Sequence, residues 1–147
     1  LYSSAASDVY KRQAIQFTMN HDDGNNTENI LESDIILIGV SRTSKTPTSI
    51  YLANKGLKTS NIPLVNDMSI PNDIMKSKTL CVIGLTTEAE RLYDIRRNRL
   101  NSLKENEVSD YVDLEKIRLE VEQSKKLFKK NTPTSPRPKG PGRGPLV

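Results

Sequence analysis

The sequence predicts an α/β fold: a parallel sheet with a P-loop-like strand, turn and helix, in a domain that is incomplete. Three observations carry this. Two continuous aliphatic runs, DIILIGV at 34–40 and TLCVIGL at 79–85, each end at a glycine and read as strands buried on both faces. Each run is followed by hydroxylated residues and then by a pattern that suits a helix. The resulting order of strand, helix, strand, connection, strand and helix is that of a parallel α/β sheet, whose ligands sit at the carboxyl ends of the strands.

Along the chain, AIQFTMN from Ala14 is a short apolar stretch that meets His21-Asp22-Asp23-Gly24 and a polar turn region. The first strand follows at 34–40. Thr46-Pro47 then opens a helix, with Thr46 as its cap and proline tolerated in its first turn, and Gly56 ends it after Lys55. Asn61-Ile62-Pro63-Leu64-Val65 forms a short second strand. A polar connection containing Pro71 leads to the third strand, Thr79 to Leu85. Thr87-Glu88-Ala89-Glu90 has the form of a capping box, and a helix continues through Leu92, Ile95, Leu100 and Leu103. A last helix from about Asp113 to Lys130 places Leu114, Ile117, Val121, Ser124 and Phe128 on one stripe. The lysines 125, 126, 129 and 130 at its end suit the helix macrodipole and need no function.

Of the 147 residues, 35% are apolar, a low share for a self-sufficient core. The formal net charge of +4 sits at the two ends, with Lys11 and Arg12 against Asp8 in one and Arg137, Lys139 and Arg143 in the other. Residues 14–130 are neutral, so a global attraction to nucleic acid or to a membrane surface is not expected. No apolar run approaches the length of a membrane span. The single cysteine, Cys81, forms no internal disulfide, and its place in LCVIGL predicts a small buried hydrophobe in a reducing cytoplasm. Residues 131–147 hold five of the eight prolines and three of the seven glycines, and are expected to be disordered. The leader, LYSSAASDVYKRQ at 1–13, resembles translated library-linker sequence. Both ends are therefore expected to be foreign to the domain, which occupies 14–130.

The turn after the first strand holds the chemistry. A Walker A loop, G-x-x-x-x-G-K-[ST], wraps phosphates in backbone N–H groups, sets lysine on the outer phosphates and places the hydroxyl on magnesium. Gly39-Val40-Ser41-Arg42-Thr43-Ser44-Lys45-Thr46 keeps the first glycine, the lysine and the final threonine at that spacing. Ser44 stands where the second glycine belongs and lacks glycine's ease at positive φ. Arg42 and the hydroxyls could compensate by donating to phosphate oxygens. The bland alternative is a polar strand-to-helix turn with an ordinary surface lysine.

Two other groups are candidates. His21, Asp22 and Asp23 could supply a general base and a metal-binding carboxylate, or only a turn before Gly24. Arg91, Arg96, Arg97 and Arg99 could grip a phosphorylated partner, or form a solvated helix face.

GVSRTSKTPTSIYLANKGLKTSNIPLV at 39–65 closely resembles the signature of the pyruvate, phosphate dikinase regulatory proteins of bacteria and plants. The likeness extends back through HDDG at 21–24 and forward through VIGLTTEAERLYDIRRNRL at 82–100 to YVDLEKIRLEVEQSKKLF at 111–128. It implies a bifunctional serine/threonine kinase and phosphorylase. In one reaction ADP phosphorylates a threonine of the dikinase and inactivates it; in the other, inorganic phosphate removes that group as pyrophosphate. The resemblance implies that Gly39 through Thr46 hold the ADP phosphates, with Lys45 neutralising developing charge and Thr46 beside a magnesium ion. It leaves the catalytic roles of Asp22 and Asp23 as inference. The sister branch, acting on phosphoenolpyruvate synthase, typically reads SRSGKT followed by YP; SRTSKT and Ile62-Pro63 here look like the dikinase branch. The expected partners are the dikinase and ADP, without nucleic acid or membrane, and a homodimer is allowed. Family members are longer, so a preceding region and a following strand and helix are expected outside 14–130. The isolated chain is then expected to fold poorly and show little activity. A metabolite kinase using the same loop and an inactive nucleotide-binding fragment are the rival readings.

Overall fold

The computed structural model describes residues 4–24, 28–65, 70–77, 79–103 and 112–131. Helix α1 (Ser4–Asn20) precedes strand β1 (Ile35–Gly39), helix α2 (Lys45–Asn54) and strand β2 (Thr59–Pro63). Helix α3 (Asn72–Lys76), strand β3 (Cys81–Gly84), helix α4 (Ala89–Ser102) and helix α5 (Leu114–Asn131) follow. The three strands make one parallel sheet in the order β2-β1-β3, with Gly39 opposite Pro63 and Ile38 opposite Gly84. The predicted class is therefore the observed one: α/β, with an open sheet of the kind an incomplete domain leaves.

Strand β1 is central because every position from Ile36 to Gly39 is buried. Ile36 and Ile38 point to a cluster with Ile70, Ile74 and Leu80, closed from outside by Leu127 and Phe128 of α5. Leu37 alternates to the opposite face. Burying each of these aliphatic side chains contributes about 1.5–3 kcal/mol. Beyond the strand, Val40 joins Ala89 and Leu92 of α4 and Ile117 and Val121 of α5 in a second cluster. The stripe predicted for α5 is thus the face it buries.

Helix α1 begins at Ser4, inside the leader, and runs through the apolar stretch at 14–20 without a break. Its packing is concentrated toward its end, at Ala14 and Thr18, though Tyr10 covers Gly56: a Cβ on that glycine would lie 3.0 Å from the ring. The expected disorder of 131–147 falls outside the described residues, except that Asn131 closes α5. Strand β2 lies two residues earlier than predicted. Its buried residues are polar and matched by polar side chains: Thr59 N–H donates to Thr18 Oγ1 at 3.1 Å, and the Ser60 and Ser33 hydroxyls are 2.6 Å apart. No apolar pattern announces such a strand. Cys81 and Ile83 are exposed where a buried strand was expected, because β3 is an edge strand with β1 as its described neighbour. The capping box does not form; Glu88 occupies the cap in extended geometry, and Glu90 instead pairs with Arg118 at 3.1 Å. Gly56 ends α2 as predicted, at φ +84°.

Candidate functional site

The carboxyl end of β1 turns through residues 40–44 into α2, and the turn is held by its own groups. Gly39 is required there: a Cβ would stand 2.7 Å from both the Leu85 carbonyl oxygen and Thr43 Oγ1. Thr43 Oγ1 donates to the Val40 carbonyl at 2.9 Å, which closes the turn from inside. Arg42 and Ser44 both adopt left-handed backbone, at φ 70° and 62°. Ser44 therefore takes the conformation that glycine takes at this place in a Walker loop, at a cost of about 1–2 kcal/mol. It caps α2 without a side-chain hydrogen bond, so the first-turn N–H groups receive no acceptor from its hydroxyl. Thr46, expected as that cap, is instead inside the helix.

Lys45 is the first residue of α2, yet its side chain folds back under the turn, 5% exposed, and its ammonium donates to the Val40 carbonyl at 2.8 Å. Burial holds its pKa below the ordinary lysine value, with Asp23 and Asp22 opposing that shift and Arg42 and Arg96 adding to it. A lysine so placed is not an ordinary surface cation.

The structure brings the acidic pair to the same place. Asp22–Gly24 is a single 3-10 turn with Asp23 at φ 55°, so HDDG is a turn as well as a candidate site. Thr46 Oγ1 donates to the Asp22 carboxylate at 3.0 and 3.3 Å, and the Asn61 amide nitrogen donates to it too. The Asn61 side-chain carbonyl in turn accepts from the Asp23 backbone N–H at 2.6 Å. Asn61, on β2, was missed by sequence reasoning; a polar residue at the start of NIPLV was the signal. His21 is not available as a base. Its ring stacks on Phe17, and its nitrogens lie 2.7 Å from the Phe17 carbonyl and 2.8 Å from the Glu28 carbonyl, which fixes the turn's entry.

Of the four arginines on α4, Arg91, Arg97 and Arg99 are exposed, as a solvated face predicts. Arg96 is 2% exposed and separates from them: its guanidinium pairs with Glu120 of α5 at 2.8 Å and donates to the Ser41 carbonyl at 3.3 Å. Its position seven residues after Ala89 and four after Leu92 put it on the buried stripe. Among the described residues, no group of three or more His, Cys, Asp or Glu side chains is placed to hold a metal ion by itself. The Thr46 hydroxyl beside the Asp22 carboxylate is a pair of hard oxygens, which suits magnesium that keeps its remaining positions for phosphate and water.

The sequence model of the kinase/pyrophosphorylase family matches residues 2–135. A relative from Pelagibacter ubique is 59% identical over 123 residues, 82% of this chain and 45% of its own length. One from Wolbachia sp. subsp. Brugia malayi is 46% identical over 132 residues, covering 89% of this chain and 48% of its own. A third, from Streptococcus sanguinis, is 51% identical over 120 residues, 82% and 44%. All three are provisionally named as pyruvate, phosphate dikinase regulatory proteins. The chain spans about half the length of the curated relatives it matches.

Proposed function

This chain belongs to the kinase/pyrophosphorylase family, and on that premise we propose that it carries the nucleotide loop of a regulator that phosphorylates and dephosphorylates a threonine of pyruvate, phosphate dikinase. The carrying observation is the turn itself: Ser44 in glycine-like geometry, Lys45 buried beneath it, and the Asp22 carboxylate accepting from the Thr46 hydroxyl. In the forward reaction, the threonine hydroxyl attacks the β-phosphorus of ADP, the bridging P–O bond breaks, and AMP leaves while the hydroxyl proton passes to a base. In the reverse reaction, inorganic phosphate attacks the phosphothreonine phosphorus, and pyrophosphate and the free hydroxyl are released.

The residues divide the work as follows. The N–H groups at the start of α2, with Arg42 and the hydroxyls of Ser41, Thr43 and Ser44, hold the phosphates at the end of β1. Lys45 leaves the Val40 carbonyl for a phosphate oxygen and offsets charge as it develops on the transferring group. Thr46 and Asp22 would hold magnesium, which would supply charge neutralisation on the phosphates. Asp23, whose field already acts on Lys45, takes the threonine proton. No helix among the described residues is long and apolar enough to cross a membrane.

Incubating the chain with dikinase and β-labelled ADP, then with phosphate, tests the reading. Label should reach a dikinase threonine and return as pyrophosphate, and Lys45→Ala should slow both steps by about a hundredfold or more. Label on phosphoenolpyruvate synthase instead would move the assignment to the other branch. Nucleotide binding without transfer would reduce this chain to a binding module, as its half-length coverage of its relatives allows.

A further inference from the structure

Beside the loop lies a cleft of about 720 Å³, between the end of β2, the 3-10 turn at Ile30–Glu32 and α3. We propose that this cleft receives the nucleoside of the nucleotide whose phosphates lie on the loop. The proposal rests on the reading of Gly39 to Thr46 as a phosphate site and adds the place where base and ribose are recognised.

The chemistry of the lining selects that occupant. Ile30, Leu31, Ile62, Leu64, Ile70 and Ile74 give it apolar walls, which suit the two faces of a planar base. Its charged groups are the carboxylates of Asp23, Glu32 and Asp73, and neither lysine nor arginine is present among the described lining residues. A phosphate would be repelled there. A neutral group with an exocyclic amine and ribose hydroxyls meets the Glu32 and Asp73 carboxylates as acceptors instead.

Position supports the same occupant. The cleft is joined to the loop at both of the loop's ends. Leu64, in the cleft wall, donates its N–H to the Gly39 carbonyl at 2.9 Å. Asn61, also in the wall, bonds Asp22, which accepts the Thr46 hydroxyl. Since β2 is the immediate neighbour of β1, with Pro63 of the cleft wall opposite Gly39, cleft and loop flank the same end of the two strands. One nucleoside diphosphate can therefore lie across both, phosphates on the loop and base in the cleft.

Calorimetric titration of the chain with ADP and with pyrophosphate, which has phosphates and no nucleoside, separates the two sites. Leu31→Arg and Glu32→Lys, both at exposed positions, should each weaken ADP binding by about tenfold while pyrophosphate binds at least as well as before. Photolabelling with 8-azido-ADP should mark residues 28–32 or 70–77 and be competed by adenosine. The proposal is overturned if both variants keep the wild-type ADP affinity, or if the label falls elsewhere. Protection of the cleft by a threonine peptide of the target, and not by adenosine, would assign it to the protein substrate and also overturn the proposal. A chain that binds neither ADP nor pyrophosphate would remove the loop reading, and the cleft assignment with it; a chain that binds pyrophosphate but shows no cleft effect removes only the latter.

Discussion

Two strands of this sheet end alike in sequence and differently in space. β1 and β3 both finish an aliphatic run at a glycine, followed by hydroxylated residues and a helix. Gly39 is bare because backbone comes close: the Leu85 carbonyl and the Thr43 hydroxyl occupy the space of a side chain. Gly84 is bare because a ring does: Phe128 of α5 stands 2.7–2.8 Å from where its Cβ would be. The turn after Gly39 is cationic, with Arg42 and Lys45; the stretch after Gly84 leads to Glu88 and Glu90 and carries no cation before them. A glycine closing a strand is thus a statement about close approach, and what approaches, backbone at one end and a ring at the other, differs between the two.

The sharpest way to break this comparison is to add one methyl group at each end. Gly39→Ala collides with fixed backbone and should cost about 2–3 kcal/mol in chemical denaturation, with phosphate binding abolished. Gly84→Ala meets a side chain that can rotate, so it should cost about 1–2 kcal/mol and leave pyrophosphate affinity unchanged. Equal loss of binding in both would show that the two ends are not distinct.

Next in size is the tie behind the loop. Arg96→Met leaves Glu120 without its cation and the Ser41 carbonyl without that donor, and should cost about 2 kcal/mol in thermal or urea unfolding. Arg91→Met, on the exposed face of the same helix, should fall within about 0.5 kcal/mol of wild type.

A smaller effect comes from the buried lysine. Because the folded-state pKa of Lys45 is lowered, the folded chain binds fewer protons than the unfolded chain as the ordinary value of 10.5 is approached from below. Stability should therefore gain with rising pH over that window relative to Lys45→Met, which lacks the group. A pH series of unfolding midpoints for both proteins reads the difference. The smallest effect is expected for Ser44→Gly, which removes left-handed strain but adds freedom to the unfolded chain; a change within about 1 kcal/mol and intact phosphate binding would show that serine is tolerated here without being needed.

What could be read from the sequence followed from apolar pattern and from turn chemistry. β1, the α2 terminus at Gly56, and the stripe of α5 obey simple periods, and the loop from Gly39 to Thr46 stands where those periods place it. What could not be read depends on partners distant in sequence. Thr59, Ser60 and Asn61 become a buried strand only because Thr18, Ser33 and Asp22 supply hydrogen bonds. Arg96 leaves a solvated-looking cluster because Glu120 and a loop carbonyl wait at its height. The exposure of Cys81 reflects the position of β3 at an edge, which its aliphatic composition does not reveal.

That same edge gives the chain a practical handle. Cys81 is its single thiol, accessible, and level with Ile35 at the start of β1, about 13 Å by strand rise from the glycine that begins the loop. A maleimide dye or nitroxide spin probe attached there would need no mutagenesis, would leave the turn unobstructed, and would report nucleotide-linked motion of the sheet from one defined point.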